Sequence, residues 1–145
     1  MRHGLSLDHI AITVHDMERA VDFYRDVLGL EVLGQLLLNG GTFKLVYLQA
    51  GAGRIELFAF TEEGRRSQTA DRNEDPGFKH VAFGVDDVDA VAQRLKAHDV
   101  PFTVEPTDAP GGVRLAFFHD PDGNLLEIVS TLPEMEPYRP GWGGR

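Results

Sequence analysis

Four side chains able to bind a divalent metal recur in this chain at one fixed offset. The stretch D-H-I-A-I-T-V-H-D over Asp8 to Asp16 returns as K-H-V-A-F-G-V-D-D over Lys79 to Asp87, a shift of 71 positions. That shift superposes His9 on His80, Ala11 on Ala82, Val14 on Val85 and Asp16 on Asp87. Without a gap it also brings Gly40-Gly41 onto Gly111-Gly112 and Glu56 onto Glu127. Each half thus carries one His and one Glu, and pairing the halves gives two of each. Imidazole nitrogens with carboxylate oxygens suit first-row divalent ions such as Mn, Fe, Co, Ni and Zn. Four such ligands on a six-coordinate ion leave two positions for water or for two oxygens of a substrate. A metal so held can polarise a carbonyl, stabilise a developing enediolate or acidify bound water. A carboxylate beside it can also shuttle a proton, and Glu56 and Glu127 are the candidates.

Taken singly, a His on a strand is usually a satisfied structural residue, and a Glu on a strand usually faces solvent. The common offset, the apolar surroundings and the common strand parity favour the metal reading for the set. His3, His15, His98 and His119 lie in a terminus or near turns and read as solvated surface residues.

The elements that must position these groups are legible in the pattern. Leu7 to Val14 alternates as a strand, with Ile10, Ile12 and Val14 on one face and His9, Ala11 and Thr13 on the other. Asp16 is placed to cap a helix from Met17 to Leu28, and Gly29 to end it in a left-handed conformation. Strand-like runs follow over Leu30 to Leu38, Phe43 to Ala50 and Arg54 to Phe60, separated by Asn39-Gly40-Gly41 and Gly51-Ala52-Gly53. The polar stretch 61–77, closed by Pro76-Gly77, reads as a connection between halves. The second half repeats the order: a strand over Phe78 to Val85, a helix from Val88 to about His98 capped by Asp86 or Asp87, then strands over Phe102 to Glu105, Val113 to Phe118 and Asn124 to Ser130. Asp120-Pro-Asp-Gly-Asn124 makes the last tight turn. The tail 132–145 is too rich in Pro and Gly for a helix or central strand, and Tyr138 and Trp142 are its anchors for the body or a neighbouring subunit.

If Ile10, Ile12 and Val14 pack under the first helix, His9 faces the other side of its sheet, and the same logic applies to His80. Glu56 is flanked by Ile55 and Leu57, and Glu127 by Leu126 and Ile128, so all four ligands face away from the helices. Phe58 and Phe60 share the parity of Glu56 and would give a substrate pocket aromatic walls. Arg54 and Arg114 are candidates for holding an anionic group, against the alternative of a solvated arginine.

At 145 residues the chain has the size of one ordinary domain, 1–131, made of modules 5–60 and 78–130. A 42% apolar and 26% charged composition is that of a globular protein. The net charge of −9 argues against nucleic acid and anionic membrane surfaces as partners. With no cysteine there is no disulfide framework, thiolate nucleophile or cysteine-based zinc site. No run approaches the roughly 20 apolar residues of a membrane span, and no signal-type core opens the chain, so a cytoplasmic location is expected.

With these motifs the chain resembles the vicinal-oxygen-chelate superfamily, the glyoxalase / bleomycin-resistance / dioxygenase group, over about Leu5 to Ser130. The carriers are D-H-I-A-I-T-V-H-D, the downstream F-Y-R-D-V-L-G-L, R-I-E-L, K-H-V-A-F-G-V-D-D and H-D-P-D-G-N-L-L-E-I-V. The resemblance implies an α+β fold in which two βαβββ modules form a cup-shaped mixed sheet around a metal, within one chain or across a homodimer. It places the ligands on His9, Glu56, His80 and Glu127. The His-Glu-His-Glu set is similar to bacterial glyoxalase I, a lyase that isomerises a glutathione hemithioacetal through an enediolate, and implies a small-molecule carbonyl substrate. The glutathione-gripping Arg and Asn of that family are replaced by Thr13 and Phe60. The acyl-CoA epimerases are similar too, but their acidic residue before the third strand has no counterpart in Leu38-Asn-Gly-Gly-Thr42. A dioxygenase-type triad of His9, His80 and Glu127 would find Glu56 in a position that oxygen chemistry needs open. Members that sequester antibiotics without catalysis use the same cup and typically lack the full ligand set.

Overall fold

The computed structural model describes residues 5–65 and 73–131. The expected anchors Tyr138 and Trp142 of the tail, His3, and part of the 61–77 connection lie outside the described residues. Among the described residues two compact units emerge: one takes in 5–65, 73–78 and Asp120–Gly123, the other Lys79–His119 and 124–131.

The first unit is built on β1 (His9–Thr13), α1 (Met17–Val21), β2 (Glu31–Leu38), β3 (Phe43–Ala50) and β4 (Gly53–Phe60). Its sheet runs β1-β4-β3-β2, with β1 parallel to β4 and the other pairs antiparallel. Helix α1 carries the chain from β1 across the sheet to β2 at the far edge, and the antiparallel run β2-β3-β4 then returns to lie parallel beside β1. The Asp16 side chain accepts the Arg19 backbone N–H at 3.1 Å and so starts the helix. Beyond Val21 the helix widens into a π-helical turn over Asp22–Val27, in which the Leu28 N–H reaches back to the Phe23 carbonyl at 3.0 Å. Apolar spacing shows which face of a helix is buried, not whether each bond closes over four residues or five, so the sequence predicts one regular helix here. Gly29 ends it at φ 81°, and the Leu30 N–H returns to the Tyr24 carbonyl at 3.0 Å.

The second unit repeats the plan with β5 (Val81–Gly84), α2 (Val88–Ala97), β6 (Phe102–Ala109), β7 (Val113–His119) and β8 (Leu125–Thr131), in the order β5-β8-β7-β6. Asp87 caps α2 through the Ala90 N–H at 3.0 Å. Strand β6 runs past the expected end at Glu105 and through Pro106, because it is an edge strand with two register breaks, where a residue lacking an N–H is tolerated. The two βαβββ modules of the α+β fold are therefore present, each with a four-stranded mixed sheet.

One face of each sheet is covered by its helix. Val46, Leu48, Ile55 and Leu57 are buried in the first unit with Met17, Ala20 and Tyr24; Ala116, Phe118, Leu126 and Ile128 in the second with Val88, Ala92 and Leu95. Each fully buried leucine among them contributes about 1.5–3 kcal/mol relative to an exposed one. Replacing Asp16 or Asp87 by Ala is expected to lower the stability of its unit by about 1 kcal/mol, read as a shift in urea midpoint, because the first-turn N–H loses its acceptor. Among the described residues no helix is long and apolar enough to cross a membrane.

Candidate metal centre

The strand pairing decides which side chains share the sheet faces turned away from the helices. In the parallel pair β1–β4, His9 lies beside Arg54, Ala11 beside Glu56 and Thr13 beside Phe58. Strand β3 adds Tyr47 opposite Glu56, Leu45 opposite Phe58 and Phe43 opposite Phe60. His9 and Glu56 thus sit on the face away from α1, with His9 Nε2 3.7 Å from Glu56 Oε2. Glu56 is only 8% exposed although no basic group is bonded to it at closer range among the described ion pairs. The other nitrogen of His9, Nδ1, is 2.7 Å from Asp8 Oδ2.

The second unit presents the same arrangement. His80 immediately precedes β5, and Glu127 on β8 pairs with Ala82 on one side and Phe117 on the other. His80 Nε2 lies 2.8 Å from Glu127 Oε2, Glu127 is again 8% exposed, and the Phe117 ring meets the imidazole edge-to-face at 5.1 Å. Burying a carboxylate to this extent is costly unless a cation or donor meets it.

The donor set suits a divalent metal. Two ligand atoms each about 2.0–2.2 Å from one ion stand roughly 3–3.5 Å apart, and the two His–Glu separations of 3.7 and 2.8 Å bracket that span. Each unit supplies one such pair, and among the described residues no group of three or more His, Cys, Asp or Glu gathers as a metal cluster.

Of the residues expected to line a substrate site, Phe58 and Phe60 lie on Glu56's face. Phe43 packs between them, stacked on Phe60 at 4.6 Å and edge-to-face with Phe58 at 5.2 Å. Phe43 was not singled out in the sequence because parity alone does not say which residue of a neighbouring strand stands opposite. Arg54 is also on this face, but its guanidinium donates to Asp8 Oδ2 at 2.7 Å and lies over the Tyr47 ring at 5.9 Å. The hydrogen bond from His9, then that from Arg54, holds the Asp8 carboxyl below the usual carboxylate range.

Arg114, a candidate for holding an anionic group, is engaged on the other face of its sheet. It pairs with Ser130, on the opposite parity, and its guanidinium is forked between Asp89 of α2 (2.5 and 2.8 Å) and Asp108 (2.8 Å). It braces the helix side of the sheet and is left out of the site. His15 and His98 are exposed as expected. His119 is not a solvated turn residue: it is half-buried at the end of β7, on the face of Phe117 and Glu127.

A further buried contact belongs to the first unit. The Tyr24 hydroxyl donates to Asp120 Oδ2 at 2.7 Å, and the other oxygen of Asp120 accepts the Asp122 N–H at 3.0 Å. Asp122 in turn accepts the His15 N–H at 3.0 Å. Burial, then the Asp120 charge, pushes the Tyr24 phenol well above its ordinary range, so it remains a donor.

Paired βαβββ modules, each with a His–Glu pair on the sheet face away from its helix, define a class of small metal-chelating and ligand-binding proteins. The chain belongs to the Glyoxalase/Bleomycin resistance protein/Dioxygenase superfamily, whose family model matches residues 6–128. It is similar to a lactoylglutathione lyase of Pseudomonas aeruginosa, at 34% identity over 86% of this chain and 81% of that protein. It is also similar to a 2-epi-5-epi-valiolone epimerase of an Actinomyces species, at 32% identity over 93% of this chain and 84% of that one. Among solved structures it resembles a glyoxalase family protein from Enterococcus faecalis, with 28% identity, a TM-score of 0.68, and coverage of 86% of this chain and 96% of that one.

Proposed function

We propose that the protein is a metal-dependent lyase or isomerase of glyoxalase type, acting on a small carbonyl compound as a cytoplasmic homodimer. The observation that carries this reading is the duplicated His–Glu pair, buried at its carboxylate and set on the face of each sheet away from its helix. His9, Glu56, His80 and Glu127 would together hold one divalent ion, of the Ni, Zn, Co, Mn or Fe group. When bound, the ion would chelate two adjacent substrate oxygens and draw electron density from the carbonyl.

The chain's own residues do the rest. Glu56 or Glu127 removes the proton from the carbon next to the carbonyl, leaving an enediolate, and returns it to the neighbouring carbon. Phe43, Phe58 and Phe60 offer an apolar surface for the remainder of the substrate. Thr13 and Phe60 supply no positive or amide group for a glutathione carboxylate, which favours a hemithioacetal of another thiol or a simple hydroxycarbonyl compound. Epimerisation needs one carboxylate to take the proton from one face of the carbon and a second acid to return a proton to the other face, roles that Glu56 and Glu127 would divide. The similarity to the valiolone epimerase supports that second reading.

Reconstitution of the metal-free protein with Ni, Co and Zn, followed by elemental analysis, tests the proposal. One tightly held ion per His9–Glu56–His80–Glu127 set is expected, together with solvent deuterium entering the product of a hydroxycarbonyl or hemithioacetal panel. Substoichiometric metal in every case would reduce the protein to a small-molecule binder.

A further inference from the structure

We propose that Asp8 is a positioning residue for His9, holding the ring with Nδ1–H toward Asp8 and Nε2 free toward Glu56, and that Arg54 serves to hold Asp8 rather than a substrate anion. The inference rests on the metal reading for its purpose but not for its test.

A single carboxylate oxygen, Asp8 Oδ2, takes both the His9 ring at 2.7 Å and the Arg54 guanidinium at 2.7 Å. Asp8 precedes β1 and is therefore not bound by the alternation of the strand, which lets its side chain reach the ring of the next residue. Its backbone is tied as well, since the Arg54 N–H donates to the Asp8 carbonyl at 3.0 Å. Arg54 is pinned in its turn by the strand register beside His9 and by the Tyr47 ring. The chain of contacts runs Tyr47, Arg54, Asp8, His9.

An ionised carboxylate only accepts, so the nitrogen facing it must carry the hydrogen. In a neutral ring Nδ1 is then the donor and the lone pair is left on Nε2, the atom 3.7 Å from Glu56 and beyond hydrogen-bond range of it. A carboxylate on the non-ligating nitrogen both orients an imidazole and makes it a better metal donor.

The second half lacks the device. Seventy-one positions on, Lys79 stands where Asp8 does and Leu125 where Arg54 does. There His80 Nε2 itself lies 2.8 Å from Glu127 Oε2. The duplicated halves are therefore unequal: His9 has a carboxylate on the nitrogen turned away from Glu56, whereas His80 Nε2 stands in direct contact with Glu127.

Asp8 is 67% exposed at its side chain, so its ion pairs are of the screened surface kind that add little to folding. Asp8→Ala is accordingly expected to fold and melt like the parent. The experiment is long-range 1H–15N NMR of the metal-free full chain, above about pH 8 where unperturbed imidazoles are neutral, joined to Zn2+ titration by chelator competition. In the parent His9 should show the Nδ1–H form. Asp8→Ala should shift it toward Nε2–H and weaken Zn2+ binding by about 10–100-fold. Asp8→Asn, whose side-chain carbonyl can still accept from Nδ1, should restore much of both, and Lys79→Ala should change neither. An unaltered His9 tautomer in Asp8→Ala would overturn the inference. So would parental Zn2+ affinity in that variant. Should the parent bind no Zn2+, the metal reading fails, while the tautomer shift still decides the role of Asp8.

Discussion

Glu56→Gln and Glu127→Gln are each expected to lower turnover by about 10²–10⁴-fold while leaving the fold intact. Gln keeps the size and one neutral oxygen of Glu but has no basic lone pair suited to proton abstraction. Both carboxylates are almost fully buried and each is in reach of an imidazole, so neither can be replaced in its role by bulk water. Two losses are separable. The variant that still takes up metal and exchanges no substrate proton has lost the base, and the one whose metal affinity falls most has lost a ligand. The measurement is kcat on the best substrate of the panel, with metal content determined on the same sample. Full activity in both variants would remove the carboxylates from the mechanism.

The second large effect is on stability, at a contact that involves neither His–Glu pair. Tyr24 is completely buried and Asp120 is 5% exposed, and the hydroxyl of the first donates to Oδ2 of the second. Tyr24→Phe removes one oxygen and leaves a buried carboxylate oxygen short of that donor. A hydrogen bond to a charged group is worth about 1.5–3 kcal/mol, and the loss should appear in full as a lower urea midpoint with an unchanged slope. In an Asp120→Asn background the same change should cost only about 1 kcal/mol, because a neutral amide oxygen is cheaper to leave in an apolar setting. Equal penalties in the two backgrounds would show that the charge on Asp120 is met by other donors.

Much of this was open to sequence reading. A period of two in Leu7–Val14 and in Arg54–Phe60 assigns His9 and Glu56 to one strand face, since backbone geometry alone alternates side chains. The 71-residue repeat carries that assignment to His80 and Glu127. Asp16, Asp87 and Gly29 mark helix ends through local hydrogen bonding and permitted φ, and the structure places all three there. These are short-range properties, complete within a few residues.

Other features depend on which segments meet, and local pattern holds no record of that. Phe43 joins Phe58 and Phe60 only through the β3–β4 register. Arg54 and Arg114 look alike in the chain, yet strand parity and nearby aspartates turn one toward His9 and the other toward α2. Asp120 reads as a turn residue and Tyr24 as a helix core residue, and only the folded first unit, which takes in Asp120–Gly123 from far along the chain, makes them donor and acceptor across 96 positions. The residue types and their spacing thus determined the available chemistry and the face that bears it. The tertiary structure decided the partners, because hydrogen bonds and ring contacts between distant segments arise only when burial of apolar surface brings those segments together.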